Sequence, residues 1–252
     1  MPAQQRTVLV VGATGSVGRH VVDTAVRAGH RTRALARSAY KGQGLARGAE
    51  VVIGDLTDAS TLVEAVSDID AVIFTHGDNS NAEAVNYGAV RNVLRALDGR
   101  PVRIALMTTI GVSVRRASSE WKRRGERLVR ASGNEYTIVR PGWFDYNDAD
   151  ELRIAPRQGD TETTGTPADG VIARHEIARV LVESLTNPAA GHKTFELVAA
   201  RGDEQDDLTP VFDSLRPDAA GSLDGVLDAD NLPIDQEPTA VLSELDHVRP
   251  RS

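Results

Sequence analysis

The chain has 252 residues, 40% of them apolar and 26% charged, with a formal net charge of −7 and no cysteine. That length suits one large α/β domain, or one domain with an extension, and the missing cysteines exclude disulfides, thiolate metal sites and cysteine nucleophiles. The charge is uneven: residues 202–252 hold 13 acidic and 3 basic side chains, against 23 acidic and 26 basic in residues 1–201. An acidic tail thus follows a nearly neutral body, without the basic stripe that nucleic-acid binding requires.

Met1–Arg6 has no apolar core of signal-peptide length. No apolar run approaches the roughly 18 residues of a membrane span. A soluble, cytoplasmic protein with no membrane partner is expected. Thr7–Val11 is a continuous apolar run, as in a strand buried on both faces. Ser16–Ala28 sets Val17, Val21, Val22, Ala25 and Val26 on one helical face and stops at Gly29. Strands are predicted at Arg31–Arg37, Glu50–Gly54 and Ala71–Thr75, with helices at Thr57–Val66 and Ala82–Leu97 between and after them. Val102–Thr108 is a fifth strand, Ser118–Ala131 a basic helix, and Tyr136–Arg140 a sixth strand stopped by Pro141 and Gly142. Farther on, His175–Leu185 reads as a helix and Lys193–Val198 as a last strand. Strands alternating with helices imply an α/β fold with a doubly wound parallel sheet of Rossmann type, one domain over residues 1–201. Residues 202–252, rich in Asp, Pro and Gly, read as an extension, partly disordered or laid over the body in short helices. Its apolar pieces are Leu223–Leu227 and Val241–Leu245.

The turn between the first strand and first helix reads Gly12-Ala13-Thr14-Gly15-Ser16-Val17-Gly18. Glycines there permit a positive φ and close approach of a pyrophosphate to the backbone. The helix that follows aims free N–H groups and its positive dipole end at the anion. Gly12, Thr14, Gly15, Ser16, Val17 and Gly18 are therefore expected to bind the phosphates of a dinucleotide. An acidic residue about 20 positions on would favour NAD by bonding the ribose 2′-OH. No acidic residue occurs between Asp23 and Glu50, and the second strand ends in Arg37-Ser38 with Lys41 nearby. A guanidinium there can hold a 2′-phosphate that a carboxylate would repel, so Arg37 and Ser38 point to NADP(H).

Gly12–Gly18, Arg37-Ser38, Gly54-Asp55-Leu56 and Tyr136-Thr137-Ile138-Val139-Arg140-Pro141-Gly142 together resemble the atypical short-chain dehydrogenase/reductases, in particular their NmrA-like, NAD(P)H-binding branch. The likeness covers about residues 7–200. It implies that Asp55 and Leu56 lie along the adenine and that Thr75, His76 and Gly77 pass near the riboses. It also implies that Thr108 and Thr109 stand where the family's catalytic Ser or Thr lies, and that Pro141, Gly142 and Trp143 wall the nicotinamide. Asp55 reads equally well as part of a helix N-terminal cap. Asn86 reads as a water-relay or helix-bending residue, or as packing.

The Tyr-x-x-x-Lys pair common in this superfamily is absent. Four residues after Tyr40, Tyr87, Tyr136 and Tyr146 stand Gly44, Arg91, Arg140 and Asp150. Lys122 occupies a plausible lysine position for holding the nicotinamide ribose, with Ser118 four residues before it. Its plainer reading is one charge on a solvated basic face with Arg123, Arg124, Arg127 and Arg130. Tyr136 lies in a strand and reads as core, which leaves Tyr146 or a water as proton donor. The six histidines lack ligand spacing, so no metal is expected. Asp224, Asp228 and Asp230 do not match a calcium loop and read as a solvated acidic surface. The expected activity is NADPH-dependent hydride transfer to a small carbonyl, enone or quinone, by a monomer or homodimer. The alternative is a non-catalytic NADP(H) sensor reporting to a protein partner through the extension. A third reading, a nucleotide-sugar epimerase or dehydratase, lacks its tyrosine base.

Overall fold

The computed structural model describes residues 5–250. Ten strands run in chain order: β1 Thr7–Val11, β2 Arg31–Ala36, β3 Glu50–Ile53, β4 Ala71–Phe74, β5 Arg103–Met107, β6 Tyr136–Pro141, β7 Trp143–Phe144, β8 Arg153–Arg157, β9 Val171–Ile172 and β10 Lys193–Ala200. The helices are α1 Gly18–Arg27, α2 Gly88–Leu97, α3 Ala117–Ala131, α4 Arg174–Glu183, α5 Thr209–Asp213 and α6 Thr239–Val248. Eight strands form one sheet in the order β3-β2-β1-β4-β5-β6-β10-β8, and β7 pairs with β9 apart from it. Every pairing in the large sheet is parallel except that of β8 with β10.

Alternation along β1 shows why the apolar runs are continuous. Val8 and Val10 pack with α1 and α4 on one face, and Leu9 and Val11 pack with α2, α3 and α6 on the other. The chain leaves β1 toward β2 on one side and later returns to β4 on the other. A crevice opens at that switch point beyond the carboxyl ends of the strands.

Two expectations need correction, and one strand was not expected. The helix expected at Thr57–Val66 shrinks to one tight turn at Ala59–Leu62 followed by turns. Asp55 accepts from the Thr57 backbone, and Asp58 from the Ser60 backbone, so side chains take over donors a helix would use. The helix expected at Ala82–Leu97 opens with a widened, π-helical turn at Glu83–Tyr87 before α2. There α3 crosses so closely that a Cβ on Gly125 would stand 3.0 Å from the Asn86 carbonyl. Strand β8 had no sequence signal: Pro156 lies inside it, tolerated because β8 is an edge strand.

The extension lies on the body. Helix α5 packs Val211 and Phe212 into the α1/α4 side, and α6 packs Val241 and Leu245 into the α2/α3 side. Between them, residues 218–237 cross α3 as a strap. Among the described residues no helix is long and apolar enough to cross a membrane.

Candidate functional site

A cleft of about 1020 Å³ runs along the carboxyl ends of the parallel strands. Its floor is the glycine loop, whose three glycines serve different ends. Gly12 has φ +83°, and a Cβ on it would come within 2.7 Å of the His76 backbone nitrogen, where the β1 and β4 ends meet. A Cβ on Gly18 would come within 2.0 Å of the Gly12 carbonyl. Gly15 is exposed to the cleft, and a Cβ there would meet only that same carbonyl, at 3.2 Å. Gly12 and Gly18 are thus needed to build the loop, whereas the bareness of Gly15 keeps the cradle open. Helix α1 starts with no side-chain cap and no acidic residue in its first turn, so no side chain of its own competes with an anion there, although the Arg19 N–H already donates to the Gly15 carbonyl at 3.1 Å. Thr14, Ser16 and Val17 line the cleft with Gly12 and Gly15, and Gly18 lies behind them.

Toward β2 and β3 the wall includes Arg37, Lys41, Gly54, Asp55 and Leu56. The Arg37 and Lys41 side chains make no hydrogen bond or ion pair among the described residues. The Ser38 hydroxyl instead accepts from the Lys41 backbone at 3.3 Å, and Ser38 does not line the cleft. Asp55 does both things the sequence left open. Its carboxylate accepts from the Thr57 N–H and hydroxyl at 2.9 and 2.8 Å, while the residue also lines the cleft. Those bonds lower its pKa, and Arg37 adds to the effect without forming an ion pair. Asn92 donates to the Leu56 carbonyl at 2.7 Å and fixes that turn.

The β4–β6 end holds the groups capable of chemistry. Thr75, His76, Gly77, Thr108, Thr109, Lys122, Gly142 and Trp143 line it together. Burial pushes the His76 imidazole down to about 4, so it is neutral at pH 7, and its Nδ1 is enclosed without a partner. Asn86 clamps the turn after β4, donating to the Asp78 carbonyl and accepting from the Asp78 N–H, both at 2.9 Å. Burial also lowers the Lys122 pKa, partly offset by Glu126 one turn on, and its ammonium has no hydrogen bond or ion pair among the described residues. An unpaired ammonium in a largely enclosed position is costly unless something else completes it.

Thr108 donates its hydroxyl hydrogen to Glu126 at 2.7 Å, which leaves Thr109 as the threonine with a free donor. Tyr146 is 63% exposed, stands edge-on to Trp143 and does not line the cleft. Pro141 does not line it either; its carbonyl accepts from Ile110 at 3.0 Å. Gly142 permits the β9 approach, since a Cβ there would come within 2.4 Å of the Gly170 carbonyl. A nicotinamide dinucleotide fits this donor set. The open loop, the uncapped helix, the free cations at both ends and the orphaned Nδ1 all await a polyanionic, hydrogen-bonding occupant.

The basic helix is not a solvated face. Arg123 and Arg127 are 2% and 1% exposed, and the strap supplies their partners. Asp224 accepts from Arg123 at 2.8 Å and from Arg127 at 3.0 and 2.7 Å. Glu237 accepts from Arg124 at 2.6 Å and Arg127 at 2.7 Å. Asp218 accepts from Arg130 at 3.2 Å, Thr194 at 2.6 Å and the Tyr136 hydroxyl at 2.9 Å. Asp228 takes Arg140 of β6 bidentately at 2.6 Å, and Arg140 also donates to Glu126 at 2.7 Å. Asp224, half-buried, and Asp228, whose carboxylate is buried, are therefore ion-pair partners rather than a solvated surface, while Asp230 is exposed. Glu126 pays for burial through two guanidiniums: desolvation alone would raise its pKa, but Arg140 and Arg130 hold it at about 2. Two signals in the sequence could have found this network, though neither was read that way. One is the four-residue spacing of Lys122 and Glu126, and the other is Arg140, a charge set in an otherwise apolar strand.

A family model described as NAD(P)H-binding matches residues 12–188. An isoflavone reductase homologue from Nicotiana tabacum is 25% identical over 226 residues, covering 77% of this chain and 69% of its own length. An uncharacterized sugar epimerase from Bacillus subtilis is 27% identical over 230 residues, covering 83% and 98%. Among solved structures, a putative NAD-dependent epimerase/dehydratase from Bacillus halodurans superposes with TM-score 0.68 at 23% identity, covering 83% of this chain and 100% of that one. An NADPH-dependent quinone oxidoreductase from Escherichia coli superposes with TM-score 0.60 at 18% identity, covering 77% and 71%.

Proposed function

This chain belongs to the NAD(P)H-binding family, and we propose that it is an NADPH-dependent reductase of small carbonyl, enone or quinone compounds. Support for NADPH over NADH comes from Arg37 and Lys41, two cations on the cleft wall after β2 without an ion pair among the described residues. They suit the 2′-phosphate, with Arg37 able to bind it bidentately. Asp55 lies near Arg37 but accepts from Thr57, which turns its charge toward its own turn.

The observation that carries the catalytic reading is Lys122, an unpartnered, largely enclosed ammonium in the same cleft end as the Thr109 hydroxyl. When bound, the dinucleotide supplies a hydride to the substrate carbon. Thr109 donates a hydrogen bond to the substrate oxygen as negative charge develops there. Lys122 holds the nicotinamide ribose and delivers the proton that completes reduction, the role its lowered pKa favours and no tyrosine in the cleft can take. His76, neutral at pH 7, adds no positive charge beside Lys122. Glu126 sits behind both groups, accepting from Thr108 and opposing the downward shift of Lys122.

A sensor reading draws less support from the extension, because its Asp218, Asp224, Asp228 and Glu237 face arginines of the body. An epimerase needs a tyrosine base, and among the described residues no tyrosine lines the cleft.

Steady-state NADPH oxidation across ketones, enones and quinones tests the proposal. Lys122→Met is expected to lower kcat about 100-fold or more with the fold intact, the usual size of a lost general acid. Wild-type kcat is expected to fall as pH rises through a value below that of an ordinary lysine, because the protonated form is the active one. Clean protein that binds NADPH tightly but turns over no member of the panel would leave the sensor in possession.

A further inference from the structure

Seven cationic side chains lie between Arg115 and Arg130. Arg115 pairs with Glu120, and Arg123, Arg124, Arg127 and Arg130 pair with carboxylates of the strap or of α3. The two left without an ion pair among the described residues are Arg116 and Lys122, and both line the cleft. Neutralisation is thus thorough everywhere except where the helix faces the β5–β6 end of the site.

Arg116 is also supported from across the cleft. A Cβ on Gly165 would stand 3.5 and 3.8 Å from its two terminal nitrogens, so the guanidinium rests over a bare glycine with φ +75°. That loop is pinned by Asp169, which accepts from the Thr164 N–H and hydroxyl and from the Gly165 N–H, each at 2.7 Å. Asp169 is the one carboxylate of the cleft in this loop, and it is engaged in holding the platform instead of neutralising the cation. Ser118 and Ser119, on the first turn of α3, line the space between Arg116 and Lys122.

The cofactor's own anionic groups have other places. Its pyrophosphate belongs on the Gly12–Gly18 loop and its 2′-phosphate beside Arg37, both toward β1 and β2. A positive charge left over at the nicotinamide end therefore answers to the second reactant. We propose that Arg116 is a substrate anchor, and that the compound reduced carries a carboxylate apart from its reducible group. Arg116 holds that carboxylate over the Gly165 platform, which places the carbonyl toward Thr109 and Lys122. The inference rests on the reductase reading of the cleft and narrows it to anionic substrates.

The test uses a matched pair, 4-carboxybenzaldehyde and its neutral methyl ester, titrated calorimetrically into full-length protein saturated with NADP+, for wild type and Arg116→Ala. The acid is expected to bind wild type about tenfold or more tighter than the ester, the size of one charge-assisted hydrogen bond. Arg116→Ala is expected to erase that preference while NADP+ affinity stays the same. Because Arg116 is exposed, the variant is expected to fold, and its apo melting curve checks this. Equal affinity for acid and ester, or no saturable binding of the acid, overturns the proposal. So does a tenfold loss of NADP+ affinity in Arg116→Ala, which would assign the residue to the cofactor. NADPH oxidation is measured alongside with 4-carboxybenzaldehyde and with carboxylate-bearing enones and quinones. Failure there with acid preference intact removes the reductase reading and leaves the anion site standing.

Discussion

Alanine at Gly15 and at Gly18 separates building the phosphate loop from using it. Gly18 is the first residue of α1, where alanine gains up to about 1 kcal/mol of helix propensity over glycine. Against that, the new Cβ would stand 2.0 Å from the Gly12 carbonyl oxygen and 2.8 Å from its carbon. The carbonyl cannot swing aside cheaply. It accepts from Gly15 N–H at 2.9 Å, and Gly12 is itself wedged against Thr75 and His76. Overpacking of this kind costs about 1–3 kcal/mol, and contact with backbone belongs at the upper end. Net destabilisation of about 2–3 kcal/mol follows, or about 5–10 °C in Tm at about 2–4 °C per kcal/mol for a domain of this size.

Gly15→Ala places its Cβ 3.2 Å from the same oxygen on an exposed residue with negative φ. The loop accommodates that within about 1 kcal/mol, but the methyl group stands where a phosphate must approach. The apo Tm is expected to stay within about 3 °C of wild type, while NADPH affinity falls about tenfold or more, the loss of one or two charge-assisted contacts. Thermal denaturation of the apo proteins and titration followed by nicotinamide fluorescence give both numbers. Equal apo destabilisation of the two variants, or wild-type NADPH affinity in Gly15→Ala, would refute the division of roles.

Arg37→Ala is expected to weaken NADPH binding about 10- to 100-fold, the range for a hydrogen-bonded charge, and to change NADH binding little; parallel titrations decide it. Glu196 is pushed up to about 7, by burial first, against the pull of Arg140 and with Asp160 and Asp228 adding to the rise. The folded state therefore keeps a proton that the unfolded chain releases near its ordinary value of 4.5, so this group's contribution to stability declines as pH rises from about 4.5 to about 7. Glu196→Gln is expected to flatten denaturant-measured stability across that window, and an unchanged slope would count against it. Arg127→Met removes the guanidinium shared by Asp224 and Glu237 and is expected to cost about 3 kcal/mol in urea unfolding, as breaking a buried pair does. Arg123 and Arg124 retain the stranded carboxylates in part.

Periodicity carried the first half of the chain well. Thr7–Val11 and Ala71–Phe74 are apolar because both sheet faces are covered, and that pattern survives in one dimension. It failed at Thr57–Val66, where Asp55 and Asp58 compete with the helix for backbone donors, a contest that composition alone does not settle. It missed β8, since an edge strand containing Pro156 has neither alternation nor a full ladder. In the site, Tyr146 looked like a proton donor from its place in the chain, yet it is exposed and does not line the cleft. Thr108 and Thr109 looked interchangeable until Glu126 claimed the first.

By itself the sequence determined the glycine loop and the cationic end of β2, because phosphate recognition uses neighbouring backbone groups and residues at fixed offsets. It also determined the separation of an acidic tail from a neutral body. Only the tertiary structure decided what those charges do. A run of arginines on a helix and scattered aspartates more than 80 residues later look alike whether solvated or paired, since charge pattern carries no distance. Folding brings Asp218, Asp224, Asp228 and Glu237 onto Arg123, Arg124, Arg127, Arg130 and Arg140, and leaves Arg116 and Lys122 in the cleft without an ion pair among the described residues.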